Sequence, residues 1–362
     1  MTRIGVVGLG KMGLSHLSML RAHPDVEVVG VCDSSGYMLG VLGKYTGVPT
    51  YGDLEEMLAA TELDALVIST PSRLHAPMVR TALERGLHVF CEKPFCLDPA
   101  DSLALSELAR ERGLVTQVGY HYRFVGAFAE VKRLLDAGAI GRVTHVLAEA
   151  YGPVVLKEQG GTWRSRRSEG GGSLYDYAAH PLNLVNWYLG EPVDVRGTVL
   201  NSVFSADIDD TVLSTMMFES DATAQLSVNW SDESQRKMST KITVWGTQGR
   251  IFADRQECQT YLREGAAVPD GYEAGWNVRY TTDLTEPVWF YLRGEEYSAQ
   301  LDRFVGRIAR GDLDDVNAFD EAAVTDRTMA QMLLDARDPS RTSTRPAAPV
   351  TRRRRRFWRR RR

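Results

Sequence analysis

Residues 3–13 read RIGVVGLGKMG, and no other stretch narrows the choice of fold so much. RIGVVG (3–8) is a short apolar run closing on glycine, and GLGKMG (8–13) leads into a helical pattern carrying Leu14, Leu17 and Leu20. Strand, glycine turn and helix in that order open a βαβ unit built to take a dinucleotide. Each glycine has its own reason: Gly8 permits the tight turn, Gly10 lets backbone approach a pyrophosphate, and Gly13 allows close helix–strand packing. The pyrophosphate then rests on free N–H groups at the positive end of the helix. Gly8, Gly10, Lys11, Met12 and Gly13 are therefore candidate cofactor-binding residues.

The next apolar run, VEVVGVCD, ends in Asp33, twenty residues beyond Gly13. An acidic residue there accepts hydrogen bonds from the adenosine ribose. A 2′-phosphate about 4 Å from it would be repelled by ~4 kcal/mol at an effective dielectric of about 20. SSGYM (34–38) offers no Lys or Arg to offset this, so NAD is expected rather than NADP. DALVIST (64–70), HVFCEK (88–93) and LVTQVGY (114–120) read as further buried strands, with a helical stretch at 75–86. Such alternation indicates a parallel, doubly wound sheet, with ligands bound beyond the carboxyl ends of its strands. Thr70, Pro71, Glu92, Lys93 and His121 fall on that rim, near the expected nicotinamide end.

From residue 141 the periodicity changes. Strand-like runs occupy 142–151, 192–205, 211–219, 222–230, 240–246 and 249–255, several joined by turn-length connections. Runs of strands after βαβ units indicate a separate α+β domain with antiparallel pairing. Helical stretches at 297–311 and 321–337 should pack on a sheet face; Leu301, Phe304, Val305 and Ile308 share one side of the first. The expected fold class is thus an α/β Rossmann domain (1–122) plus an α+β domain with an open-faced, mostly antiparallel β-sheet (123–337), followed by a tail (338–362).

Residues 169–187, EGGGSLYDYAAHPLNLVNW, place three glycines before an aspartate and a histidine four apart. Proline fits only the first turn of a helix, so Pro181 puts the helix start near residues 177–180, with Asp176 at its edge. His180, Asn183 and Trp187 then share a face, and Asp176 lies one turn earlier. The glycines let the chain turn sharply and approach a ligand closely.

The order GLGKMG, Asp33, TPSRLHAP, CEKP and GGGSLYDYAAHPLNLVNW resembles the Gfo/Idh/MocA family, relatives of glucose–fructose oxidoreductase and inositol dehydrogenase, over residues 3–335. The resemblance implies a Rossmann domain, an open-sheet domain that commonly forms the oligomer interface, and hydride transfer between a sugar or cyclitol alcohol and a nicotinamide. It places the family's lysine on Lys93 and its aspartate and histidine on Asp176 and His180, and adds His75 to the cofactor set. Two positions depart from the family pattern: Ala178 stands for a glycine and Asn183 for an acidic residue. In the expected mechanism His180 is the base, Asp176 orients its ring, and Lys93 hydrogen-bonds the reacting oxygen.

His121, Arg123, Trp163, Arg164, Arg166 and Asn183 are the expected substrate-binding residues, Arg166 and Arg167 suiting a carboxylate or phosphate. The expected substrate is a sugar, cyclitol or nucleotide-sugar. Two rival readings are a lyase or glycosidase that cycles bound NAD and a non-catalytic NAD-sensing regulator. Eleven arginines against Asp338 give residues 338–362 a net charge of +10, which leaves −14 on residues 1–337. An acidic body argues against nucleic acid as the main partner, and the tail reads as a solvated appendage. No apolar run is long enough to span a membrane. The chain opens directly on a strand, and its four cysteines show no metal or redox spacing, so no metal and a cytoplasmic location are expected. The open sheet face suggests a homodimer or homotetramer.

Overall fold

The computed structural model describes residues 1–155, 165–313 and 315–338. Strands β1 (Thr2–Val7), β2 (Val26–Cys32), β3 (Thr50–Tyr51), β4 (Ala65–Ile68), β5 (His88–Cys91) and β6 (Thr116–Val118) form one sheet in the order β3-β2-β1-β4-β5-β6. Every pairing in it is parallel. Helices α1 (Lys11–Ala22), α2 (Gly36–Thr46), α3 (Leu54–Ala60), α4 (His75–Glu84) and α5 (Pro99–Glu111) make the connections. Ile4, Val6, Leu66, Val67, Ile68, Val89 and Phe90 are fully buried, the near-continuous apolar burial expected of strands covered on both faces. The strand order reverses between β1 and β4, which opens a crevice at their carboxyl ends.

Helix α6 (Gly126–Asp136) leads to the second sheet. Its strands are β7 (Val143–Tyr151), β8 (Asp194–Asn201), β9 (Thr211–Met217), β10 (Thr223–Asn229), β11 (Ser239–Gly246), β12 (Gly249–Ala253), β13 (Glu257–Leu262) and β14 (Gly275–Tyr280). Their order is β14-β13-β12-β11-β7-β10-β9-β8, with β7 and β10 parallel and the other neighbours antiparallel. Period-2 alternation decides which face is buried. Met216, Ala224, Val146, Val244 and Ile251 lie side by side across five strands and are all fully buried. The opposite face is open, and Leu213, Tyr261, Trp276 and Val278 are exposed there.

The chain enters α7 (Ala179–Leu189) between β7 and β8, and α8 (Thr281–Leu284), α9 (Glu295–Arg310) and α10 (Phe319–Ala336) follow the last strand. The two late helices join different cores. Leu301, Phe304 and Val305 of α9 pack with Ile4, Val6 and Phe90 of the parallel sheet, whereas Phe319, Met329 and Met332 of α10 belong to the larger core shared by the second sheet and the remaining parallel-sheet residues such as Leu66 and Val89. The six strand runs expected after residue 141 are present; β13 and β14 were not expected. No helix among the described residues is long and apolar enough to cross a membrane.

Candidate active site

The dinucleotide end is built from the glycine turn. Gly8 has φ +86°, and a Cβ there would lie 2.7 Å from the backbone of Ser69; a Cβ on Gly13 would lie 1.7 Å from the Gly8 carbonyl oxygen. Gly10 differs, because nothing stands within 4 Å of a Cβ built on it. It caps α1 with no side-chain hydrogen bond, so the first-turn N–H groups face open space, a cradle suited to a diphosphate. Asp33 closes β2; its carboxylate accepts from Leu9 N at 2.5 Å and Ser35 N at 2.7 Å. Those bonds fix it beside the turn with oxygen lone pairs to spare for a ribose. Lys11, Met12, Thr70 and Pro71 sit on the same rim and are at least partly exposed.

Two of the expected cofactor contacts are also bonded within the protein. His75 is 1% exposed, with Nδ1 2.9 Å from the Pro94 oxygen and Nε2 3.0 Å from the Thr70 oxygen. It fastens the β4 loop to the β5 loop, and burial pushes its imidazole below the usual range. Glu92 is also buried. Its Oε1 lies 2.7 Å from His16 Nε2, and its Oε2 accepts from Lys93 N at 3.1 Å. Both oxygens are committed within the protein.

Lys93 follows at the carboxyl end of β5, before a cis bond to Pro94. Its Nζ donates to the Asp176 backbone oxygen and to Asp176 Oδ1, each at 2.8 Å. Asp176 belongs to a π-helical segment, Leu174–Ala178, that runs directly into α7. The helical chain thus starts earlier than Pro181 alone suggested, and Pro181 still lies in the first turn of α7. The glycines serve this entry. Gly172 has φ +110°, and a Cβ there would lie 2.6 Å from Asp209 Oδ1. Buried Asp209 can therefore reach in to accept from Ser173 Oγ and Leu174 N, each at 2.8 Å.

His180 is 5% exposed, and its Nδ1 has no hydrogen-bond partner. Burial first, then the charges of Lys93, His121 and Arg255, hold its imidazole well below the usual range. Asp176, expected to orient this ring, gives Oδ1 to Lys93. The ring packs against His121 and Tyr122, with centroids each at 4.9 Å. His121 stacks on Tyr297 at 4.3 Å, and burial pushes it down to about 3.

Arg123 and Asn183, expected as substrate contacts, are bonded to each other and to α10. Arg123 Nε donates to Asn183 Oδ1 at 2.8 Å, Asn183 Nδ2 donates to Thr325 Oγ1 at 3.1 Å, and Arg123 pairs with Glu321. Both are buried and tie α7 to α10. Arg166 is exposed on the loop before the glycines. Trp163 and Arg164 lie outside the described residues. Sequence reasoning missed His16, Asp209 and Tyr297. A histidine among Leu17, Met19 and Leu20 on a buried helix was the available signal for the first.

A glycine turn suited to a diphosphate at one strand end, and a lysine at another with a buried histidine near it, fit a nicotinamide-dependent oxidoreductase. The family described as "Oxidoreductase family, NAD-binding Rossmann fold" matches residues 2–120, and the GFO/IDH/MocA C-terminal domain matches residues 128–252. The scyllo-inositol 2-dehydrogenase (NAD(+)) of Bacillus subtilis (strain 168) is 30% identical over 255 residues, 69% of this chain and 73% of that one. The dTDP-3,4-didehydro-2,6-dideoxy-alpha-D-glucose 3-reductase of Streptomyces violaceoruber is 35% identical over 199 residues, 55% and 57% of the two chains. A levoglucosan dehydrogenase solved with NADH and L-sorbose has the same fold, with a TM-score of 0.81 at 20% identity over 93% and 97% of the two chains. The chain belongs to the Gfo/Idh/MocA family, and its cofactor is NAD.

Proposed function

We propose that this chain is an NAD-dependent dehydrogenase acting on a secondary alcohol of a sugar, cyclitol or nucleotide-sugar, with Lys93, Asp176 and His180 as its catalytic residues. The observation that carries the reading is the Lys93–Asp176 pair at the carboxyl end of β5, beside a buried His180 whose Nδ1 has no partner. NAD held by the glycine turn and Asp33 supplies the acceptor for the carbinol hydride. Lys93 donates a hydrogen bond to the reacting oxygen and stabilises the negative charge that develops there. The hydroxyl proton passes to His180, whose imidazole burial keeps neutral before the reaction. Asp176 holds the Lys93 ammonium in place and balances its charge. In reverse, the same groups protonate a ketone oxygen as hydride returns.

The relatives act on inositols and nucleotide-linked sugars by name, which supports the substrate class. Residues 1–122 serve the cofactor and 123–337 the substrate, with α9 clamped across the former. The open face of the second sheet, with exposed Tyr261 and Trp276, suits a homo-oligomeric contact. The four cysteines are free and buried, in keeping with a reducing cytoplasm. The test is the absorbance of reduced nicotinamide on incubation with NAD⁺ and a panel of inositols, free sugars and nucleotide-sugars. Signal with one polyol class that vanishes in Lys93→Ala supports the reading. Tight NADH binding with no signal from any member contradicts it.

A further inference from the structure

The Rossmann turn and Lys93 stand on different strands, and one buried bridge joins them. His16 lies on α1, the helix whose first turn forms the diphosphate cradle, about 9 Å along the axis from Gly10. It is fully buried, with its ring edge-on to Phe90 at 5.2 Å. Its Nε2 lies 2.7 Å from Glu92 Oε1, and Glu92 Oε2 accepts the backbone N–H of Lys93. Gly119 makes room for this, since a Cβ there would lie 3.1 Å from the Glu92 carboxylate. We propose that His16 is a positioning residue that acts through Glu92 to set where Lys93 stands relative to the cofactor grip.

Burial alone would raise the Glu92 carboxyl, but the His16 hydrogen bond and the charges of His16 and Lys93 hold it below the usual range. A buried carboxylate with two donors is a rigid joint, because leaving either lone pair unmatched is costly. The bridge gives the lysine backbone and the helix end a common reference. That is what hydride transfer requires when the cofactor is gripped by its diphosphate and reacts at its far end. The importance of the joint to turnover rests on the catalytic reading of Lys93; the joint itself does not.

The experiment measures the modification rate of individual lysines by trinitrobenzenesulfonate, quantified by peptide mass spectrometry, in the full-length protein. Lys132 and Lys241 serve as internal controls. In His16→Leu the Lys93 backbone should shift with the freed Glu92 carboxylate and loosen the two Nζ bonds to Asp176, so that the amine labels about tenfold faster, the scale of one weakened charge-assisted hydrogen bond, while the controls stay unchanged. His16→Gln, which restores an N–H donor at similar reach, should return Lys93 to near the wild-type rate. If His16→Leu does not fold, Glu92→Gln carries the test: the amide puts a donor where an acceptor was, breaking one of the two bonds at constant volume. Unchanged Lys93 labelling in the folded variants, or a parallel rise at all three lysines, overturns the proposal. Full turnover in Lys93→Ala would refute the catalytic reading and leave the labelling result standing.

Discussion

Lys93 Nζ lies 2.8 Å from both the backbone oxygen and Oδ1 of Asp176, so the end of a parallel strand is tied to a π-helical turn under the second sheet. The two side chains are 12% and 6% exposed. Removing one partner of such a pair leaves a buried charge uncompensated, at about 3–5 kcal/mol. Asp176→Ala should therefore lose stability on that scale in urea unfolding. Asp176→Asn keeps an acceptor for Lys93 and should stay folded, but turnover should fall by about 10²-fold because the charge that balances the ammonium is gone. Wild-type turnover in Asp176→Asn would remove Asp176 from the catalytic set.

The glycine turn separates packing from binding. A Cβ on Gly13 would overlap the Gly8 carbonyl oxygen at 1.7 Å, whereas one on Gly10 meets nothing within 4 Å. Gly13→Ala should cost about 3 kcal/mol or more, since backbone must move to relieve the overlap. Gly10→Ala should keep the wild-type melting temperature and lose NADH affinity by about tenfold or more, because the methyl enters the space the diphosphate needs. Equal effects of the two substitutions on melting temperature would contradict this division.

The parallel sheet was legible because strands buried on both faces are written as unbroken apolar runs, such as the DALVIST stretch that yields β4. Asp176 and His180 were legible as spacing, whereas the Lys93 contact of Asp176 was not. Sequence gives a four-residue separation, not the reach of Lys93 from 83 residues away. The same limit explains Arg123 and Asn183, whose mutual hydrogen bond spans 60 residues. The internal bonds of Glu92 to His16 and of His75 to the Pro94 and Thr70 oxygens are of the same kind, set by tertiary contact rather than by spacing. Strands β13 and β14 escaped notice because ECQTYL and GWNVRY are short and largely polar on their alternate positions.

Asp326 carries a pH dependence of stability. Burial pushes its carboxyl up to about 7, against hydrogen bonds from Ser102 Oγ at 2.6 Å and Cys96 N at 2.9 Å. Between about pH 4 and 7 the folded chain keeps a proton that an unfolded carboxyl near 3.9 has released. That contribution is present at low pH and is lost as pH rises through the folded value, by up to about 1.4 kcal/mol per unit. His121, depressed by burial, acts with the opposite sign below its ordinary value, so the comparison is with Asp326→Asn at each pH. The variant should gain stability relative to wild type from pH 4 to 7 and hold that gain above. A difference independent of pH would contradict the assignment.

The most direct test of the account is the single-turnover rate of NADH formation in Lys93→Ala, with NADH affinity measured on the same preparation. The substrate is whichever polyol of the panel the wild type oxidises. The account expects the rate to fall by about 10³-fold, the scale of removing a group that stabilises charge on the reacting oxygen, with NADH affinity unchanged. A wild-type rate in Lys93→Ala would contradict it.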